Sequence, residues 1–354
     1  MATMRDIAQL TGVSTATVSH VVNGTKRLSP ETTRMVMDAV RALGYKLPST
    51  GRAPLDQTSA PIGVLVEDVR CFPSPDILCG IAEALENHQR RMLVHDLHLY
   101  EKLYNQYELI GAYREQINKG ISLLAEGHAA GVIYVAMHDR HLDGLIDASG
   151  KPLVYAYSLG AASDSYVTYA NKESASDAAR HLIGLGHKRI AVIAGHPHSF
   201  PAMKRLSGFL IAMQEAGLSI PEPYLAYGNW EYDSGYERML GLLKLPEPPT
   251  AVFAMNDFMA AGALHAALDS GLEVPEDLSV IGFDNRESSS FLRPQLTTYD
   301  LPVREIGRQA ANTLMQMLSS PGASPQSIVL PCTFIHRQST GSPREFTVKE
   351  RRSS

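Results

Sequence analysis

The sequence predicts a small all-α helix-turn-helix head followed by an α/β body of two lobes built on parallel sheets. Three observations carry that prediction. Near the N-terminus two short helical patterns flank a glycine, and a third pattern opens on Ser-Pro-Glu. Beyond Pro61, short Val/Ile/Ala-rich runs alternate with amphipathic stretches, as parallel strands covered on both faces require. These units are too many for one sheet, so two lobes are expected. The 354 residues are enough chain for more than one core.

In the head, Thr3 and Asp6 form a T-x-x-D capping pair ahead of Ile7, Ala8 and Leu10. Gly12 ends that helix as a left-handed residue does. Ser14 caps a second helix, whose apolar stripe is Val18, Val21 and Val22. Ser29-Pro30-Glu31 starts a third, with Val36, Ala39, Val40 and Leu43 as its core face. The second helix leaves Thr15, Ala16, Ser19 and His20 on its outer face. In a DNA major groove Thr15, Ser19 and His20 reach base edges, while Ala16 offers a methyl contact. Asn23, Lys26 and Arg34 suit backbone phosphates.

The charge distribution agrees with a DNA-binding head. The chain is −5 overall, yet residues 1–52 hold seven basic and three acidic residues and are +4, leaving −9 on the remainder. Three cysteines, Cys71, Cys79 and Cys332, show no C-x-x-C spacing, which excludes a disulfide scaffold and a cysteine zinc site. The N-terminus lacks a signal-peptide core, and no apolar run is long enough to span a bilayer. A cytoplasmic, nucleoid-associated protein without membrane contact is expected.

The body is read as strands at Ile62–Glu67, Met92–Asp96, Gly131–Ala136, Leu153–Tyr157, Arg189–Ala194, Ala251–Ala254 and Leu278–Phe283. Helical patterns fall at Ile77–Gln89, Tyr104–Glu126, Ala175–Leu185, Met203–Glu215, Ser234–Leu243, Phe258–Ser270 and Arg304–Leu318. The last of these suggests that the chain returns to the first lobe. The expected organisation is a head at 1–46, a Pro/Gly/Ser/Thr-rich linker at 47–60, a body at 61–340 and a tail at 341–354.

Residues 3–45, TMRDIAQLTGVSTATVSHVVNG…SPETTRMVMDAVRALGY, resemble the head of the LacI family of repressors. The stretches HLIGLGHKRIAVIAG, KRLSGFLIAMQEAGL, TAVFAMNDFMAAGALHAALDSGLEVPEDLSVIGFDN and PQLTTYDLPVREIG resemble, in order, that family's type I periplasmic-binding-protein-like effector domain. The resemblance implies Thr15, Ala16 and His20 as base readers. It also implies a linker that becomes a hinge helix on DNA, with a leucine wedged in the minor groove. Arg52 stands at the hinge arginine, but Pro54 precedes the shifted Leu55, and Gly51 and Pro54 are poor helix residues. Either a short hinge helix still delivers Leu55 to the groove, or the wedge is missing and the linker is a tether.

Ligands of open α/β lobes sit beyond the C-terminal ends of strands. That rule gathers Asn256 and Asp257, Asp284, Arg205 and Trp230 into one interlobe cleft. Carboxylates and a guanidinium hold hydroxyls or a carboxylate, and an indole offers a flat face to a sugar or base. The resemblance implies effector contact at Arg205, Trp230 and Asp284, with Phe72 added from the loop after the first strand. Asn256 and Asp257 have a second reading as helix caps. Two features depart from the family: Ala170, where many members carry an acid, and a long tyrosine-rich segment at 97–127.

No metal motif, P-loop or nucleophile elbow is present, so no catalytic residue, cofactor or metal is assigned and an enzyme is not expected. The expected function is a sequence-specific repressor of transcription. It binds double-stranded operator DNA as a homodimer and takes a sugar, sugar derivative, nucleoside or purine in its cleft. An activator of the same fold, or a stand-alone sugar-binding protein, is the alternative.

Overall fold

The structure is a computed structural model that describes residues 3–23, 28–45, 60–104, 106–148 and 150–344. It divides into two compact units, Met1–Ala60 and Pro61–Ser354. The first contains α1 (Met4–Thr11), α2 (Thr15–Asn23) and α3 (Pro30–Ala42). Each start is fixed by its cap. The Thr3 N–H donates to Asp6 Oδ2 at 2.7 Å, completing a capping box. Ser14 Oγ accepts from the Thr17 N–H at 3.0 Å, and Ser29 Oγ from the Thr32 N–H at 3.2 Å. Gly12 takes φ +71°, and its N–H closes α1 on the Ala8 carbonyl. Ile7, Val18, Val22 and Val36 are completely buried, with Ala8, Val21, Ala39 and Val40 around them. Two of the apolar residues named from the sequence fall outside this core. Leu10 is 58% exposed, on a flank of α1 away from Ala8, and Leu43 is 37% exposed because it is the cap residue where α3 ends.

The second unit runs β1 (Ile62–Val66), α4 (Ser74–Asn87), β2 (Met92–Asp96), α5 (Tyr100–Leu103), α6 (Arg114–Glu126), β3 (Val132–Val135), β4 (Leu153–Ala156) and β5 (Ser165–Tyr169). It continues α7 (Asn171–Gly184), β6 (Ile190–Ala194), α8 (Phe200–Glu215), β7 (Leu225–Tyr227), α9 (Tyr232–Leu243), β8 (Ala251–Ala254), α10 (Asp257–Asp269) and β9 (Ser279–Ile281). It ends with β10 (Thr298–Asp300), α11 (Val303–Ser319), β11 (Ser327–Leu330) and β12 (Thr333–Ile335). One parallel sheet has the order β11-β5-β4-β3-β1-β2, and a second has β7-β6-β8-β9. An antiparallel pair, β10 and β12, forms a separate ribbon. Each sheet is the centre of one lobe. Strands β1, β3, β6 and β8 are buried at every position, as strands covered on both faces must be.

Three segments join the lobes. The chain leaves the first sheet at Tyr169 and enters α7, which packs on α8 in the second lobe. It returns through β10 to α11, which packs on α4 and covers β3, β4 and β5, as the sequence suggested. After β11 it crosses again into β12, and Ser339 and Gly341 then bond to Val280 and Ser279 beside the second sheet. The α4–α11 contact depends on two glycines. A methyl group on Gly80 would stand 1.9 Å from the Arg304 carbonyl oxygen, and one on Gly307 would stand 2.0 Å from that of Ile77.

The seven expected strands are present within a residue or two of their expected ends. Five short strands, β5, β7, β10, β11 and β12, were not assigned. One expected helix is broken. Tyr104–Glu126 is not continuous: Tyr104 takes φ +43°, Tyr107–Tyr113 winds more tightly as a 3-10 helix, and only Arg114–Glu126 is α-helical. The linker residues 46–59 and the tail from 345 onward lie outside the described residues, and so do Lys26, Arg52, Leu55 and the side chain of Asn23.

Because backbone sits opposite both glycines, Gly80→Ala and Gly307→Ala each force α11 away from α4. Denaturant unfolding of either variant is expected to show a loss of about 1–3 kcal/mol, the usual cost of overpacking. Unchanged midpoints would contradict the close crossing.

Candidate DNA-reading face and effector cleft

In the head, Thr15 and Ala16 are exposed at the start of α2, and Ser19 and His20 are half-buried one turn on. Arg34 is exposed on α3. Ala16 and His20, four residues apart, lie opposite the Val18–Val22 stripe, Ser19 flanks them, and Thr15 is exposed at the first position of the helix.

In the body, a cleft of about 310 Å³ opens between the lobes. The first lobe contributes Phe72, Tyr100, Tyr107, His138, Tyr157 and Tyr169 among others. The second contributes Arg205, Trp230, Glu231, Asn256, Asp284 and Arg286. These residues follow the C-terminal ends of strands in both sheets, where open α/β lobes bind ligands.

Arg205 lies on α8 and is only 3% exposed. Its Nε donates to Asn171 Oδ1 at 2.8 Å, Nη2 to the Tyr169 hydroxyl at 3.1 Å and Nη1 to the Met255 carbonyl. The guanidinium lies 3.8 Å from the centre of the Phe283 ring. Asp284 Oδ1 stands 3.9 Å from Nη2. Asn171 also donates to Asp139 Oδ2 at 2.8 Å, and Thr168 Oγ1 donates to Asp139 Oδ1 at 3.2 Å. An amide at the first position of α7 thus links a first-lobe carboxyl to a second-lobe guanidinium. Burial pushes the Asp139 carboxyl up to about 7, against the pull of its hydrogen bonds to Thr168 and Asn171 and of the Arg205 charge.

Trp230 follows β7 with φ +75°, a left-handed conformation that costs a bulky residue energy. Its indole lies over Gly195, where any side chain would collide with the ring. Asn256 has its polar atoms committed to structure: Oδ1 caps α10 through the Met259 N–H at 2.9 Å, and Nδ2 donates to the Trp230 carbonyl at 2.8 Å. It lines the cleft as the residue that fixes Trp230. Asp284 is also left-handed, at φ +116°, and is buried. Burial raises its carboxyl, while Arg205 and Arg286 oppose the rise.

Asp257 is buried beside these residues. It does not line the cleft. Its Oδ1 accepts from the Thr298 hydroxyl at 2.6 Å and its Oδ2 from the Arg286 N–H at 2.8 Å, so it pins the turn that carries Asp284 and Arg286. Burial first, and then the nearby Asp284 charge, push its carboxyl up to about 8.

Several lining residues escaped the sequence reading. His138, after β3, stacks on Tyr107 with ring centres 3.9 Å apart and meets Trp230 edge-on at 5.9 Å. Its Nε2 is 2.8 Å from Ser199 Oγ, the cap of α8 in the opposite lobe. Burial, and then the charges of Arg140 and Arg205, hold this imidazole well below its ordinary range, so it is neutral. Tyr100 and Tyr107 come from the tyrosine-rich segment already singled out as unusual, which here forms part of the cleft wall. Arg286 lies between Phe72, at 4.2 Å, and Phe258, at 4.0 Å, one ring from each lobe. Only the spatial wrapping of the loops gathers these groups.

Residues 3–48 match the family of bacterial regulatory proteins, lacI family, and residues 179–340 match a periplasmic binding protein-like domain. The chain is 33% identical over 323 residues to the HTH-type transcriptional repressor PurR of Actinobacillus pleuropneumoniae serotype 3, covering 90% of this chain and 91% of that protein. The chain belongs to the lacI family. As a lacI-family protein it is also 31% identical to catabolite control protein A of Priestia megaterium, covering 96% of this chain and 99% of that protein. Among solved structures it resembles a transcriptional regulator CelR–cellobiose complex, with 28% identity, a TM-score of 0.63 and coverage of 96% of this chain and all of the other. This lacI-family chain is therefore a DNA-binding transcriptional regulator with a small-molecule effector, and not an enzyme. Among the described residues no helix is long and apolar enough to cross a membrane.

The elevated Asp257 carboxyl gives a pH test. The folded protein holds that proton to about pH 8, whereas an unfolded aspartate releases it near pH 4. The folded state thus binds more protons between those values, and stability falls as pH rises through that window. Asp257→Asn keeps an acceptor for the Arg286 amide and offers a donor to Thr298. Its melting temperature is expected to fall less between pH 5 and 8.5 than that of the parent. Parallel melting profiles would contradict the assignment.

Proposed function

We propose that this protein is a homodimeric repressor that reads two operator half-sites with its heads and is switched by a small molecule held in the interlobe cleft. The names of its relatives favour repression over activation: PurR is a transcriptional repressor. Thr15, Ala16, Ser19 and His20 are assigned to base edges and Arg34 to phosphate. Arg205, Trp230, Asp284 and Phe72 are assigned to the effector, with Asn256 and Asp257 holding the loops that present them. We place the protein in the cytoplasm, at the nucleoid.

The observation that carries the effector site is the coincidence of strain and chemistry. Trp230 and Asp284 both take left-handed backbone and both line the cleft that Arg205 floors. Strained non-glycine residues persist where the surroundings over-determine them, and they concentrate at binding sites. Cross-lobe contacts such as Asp139–Asn171–Arg205 and His138–Ser199 exist only when the lobes are close. An effector that binds the closed arrangement better shifts the protein toward it, and through the paired bodies changes the spacing of the heads.

A thermal-shift screen against sugars, sugar phosphates, nucleosides and purines identifies the ligand, and gel shifts with that ligand test the site. Arg205→Lys keeps the buried charge and loses the planar fork. It is expected to retain operator binding and lose the effector response; a retained response defeats the assignment. In the head, His20→Ala is expected to weaken operator binding by about 1–3 kcal/mol while changing affinity for random DNA far less. Equal losses on both DNAs would place His20 on phosphate.

A further inference from the structure

We propose that the effector is a hydroxylated ring compound bearing an anionic group, and that Arg286 and the indole N–H of Trp230 hold that group. The proposal rests on the cleft being the effector site.

Two lining residues carry buried N–H donors that lack a hydrogen-bond partner: Trp230 Nε1 and Arg286 Nε. Buried donors are nearly always paired in a folded protein, so two orphans in one cleft point to acceptors supplied by a ligand. The Arg286 guanidinium is held flat between Phe72 and Phe258, which fixes the plane of its donors before anything binds. A planar fork of this kind matches a carboxylate or phosphate edge.

The charges favour the same answer. Asp284 stands 3.6 Å from Arg286 Nε and 3.9 Å from Arg205 Nη2, beyond hydrogen-bond distance of either. One carboxylate shared by two guanidiniums leaves that end of the cleft positive. Arg70 does not add to it, since its donors go to Asp68 and Glu101. The other lining carboxylate, Glu231, follows Trp230 in the chain and acts on Tyr100 and Tyr107. A ligand with an anion for the Arg286 fork and hydroxyls that donate to Glu231 fits these groups. Tyr107 and Trp230 supply flat faces for its ring. A neutral sugar or a purine base presents acceptors to the two donors but leaves the positive charge unmatched.

The test is calorimetric titration of the full chain with D-glucose and D-galactose, their uronates, glucose 6-phosphate, and hypoxanthine. At least one anionic probe is expected to bind at least about tenfold more tightly than its neutral parent. The uronate and phosphate arms separate the two kinds of anion. Arg286→Gln and Trp230→Phe are each expected to shrink that margin below about threefold, and Arg286→Lys to restore part of it. Trp230→Phe keeps an aromatic face while removing the N–H together with the five-membered ring, so it stands as the test if Arg286→Gln unfolds. Neutral parents binding as tightly as the anions, hypoxanthine binding in preference to every sugar, no binding by any probe, or an undiminished margin in Trp230→Phe would each overturn the proposal. Arg205→Lys separates this from the cleft assignment. If no anionic margin appears and Arg205→Lys abolishes binding of a neutral probe, the cleft reading stands while the anion reading falls. If it leaves binding of every probe intact, the cleft reading itself fails.

Discussion

A guanidinium buried at the junction of two lobes is the constraint on which the body is built. Arg205 is charged, and burying a charge is costly unless it is both paired and hydrogen-bonded. Here the partners come from four places in the chain: Tyr169 at the end of β5, Asn171 at the start of α7, the Met255 carbonyl after β8, and Asp284 after β9. Satisfying one side chain therefore aligns the strand ends of the second sheet with the first crossing between lobes. The stacked Phe283 ring adds a flat apolar support beneath the ion.

That network also explains the tension around it. Asp284 serves two guanidiniums without bonding closely to either, and holds a left-handed backbone to do so. Asp257 accepts from Thr298 and from the amide of Arg286, which keeps the Asp284 turn in place, and burial and then the Asp284 charge raise its pKa against the pull of those bonds. Asn256 does the same for Trp230 through its carbonyl. The residues that present chemistry to the cleft are thus backed by residues whose own polar atoms are committed to structure. Backing of this kind is what lets a binding site keep unpaired donors and strained dihedrals in a stable fold.

Much of this was legible in sequence, for identifiable reasons. The head could be read because its signals are local: Thr3 with Asp6, Gly12, Ser14 and Ser29-Pro30 each act within a few residues. Six of the seven expected strands were legible because burial leaves continuous apolar runs, and β2, which is only half-buried, still opens on Met-Leu-Val. The missed strands are short or mixed in polarity: SYVTY in β5 alternates Tyr with Ser, Val and Thr, and β10 and β12 have three residues each. Arg205, Trp230 and Asp284 were found because they follow strands. Asp257 follows one too, yet points away, since strand-end position does not specify which way a side chain turns. His138 and Arg286 carry no local mark, Tyr107 carries only that of the tyrosine-rich segment, and the meeting of distant loops brings them to the cleft.

The central claim is that one equilibrium connects the cleft to the head. Linkage requires that if effector changes operator affinity by some factor, operator changes effector affinity by the same factor. The most direct measurement is calorimetric titration of effector into the protein with and without saturating operator DNA, beside operator titrations with and without effector. The account predicts matching shifts, on the order of 5–150-fold. An effector Kd that is identical in the presence and absence of operator would contradict it.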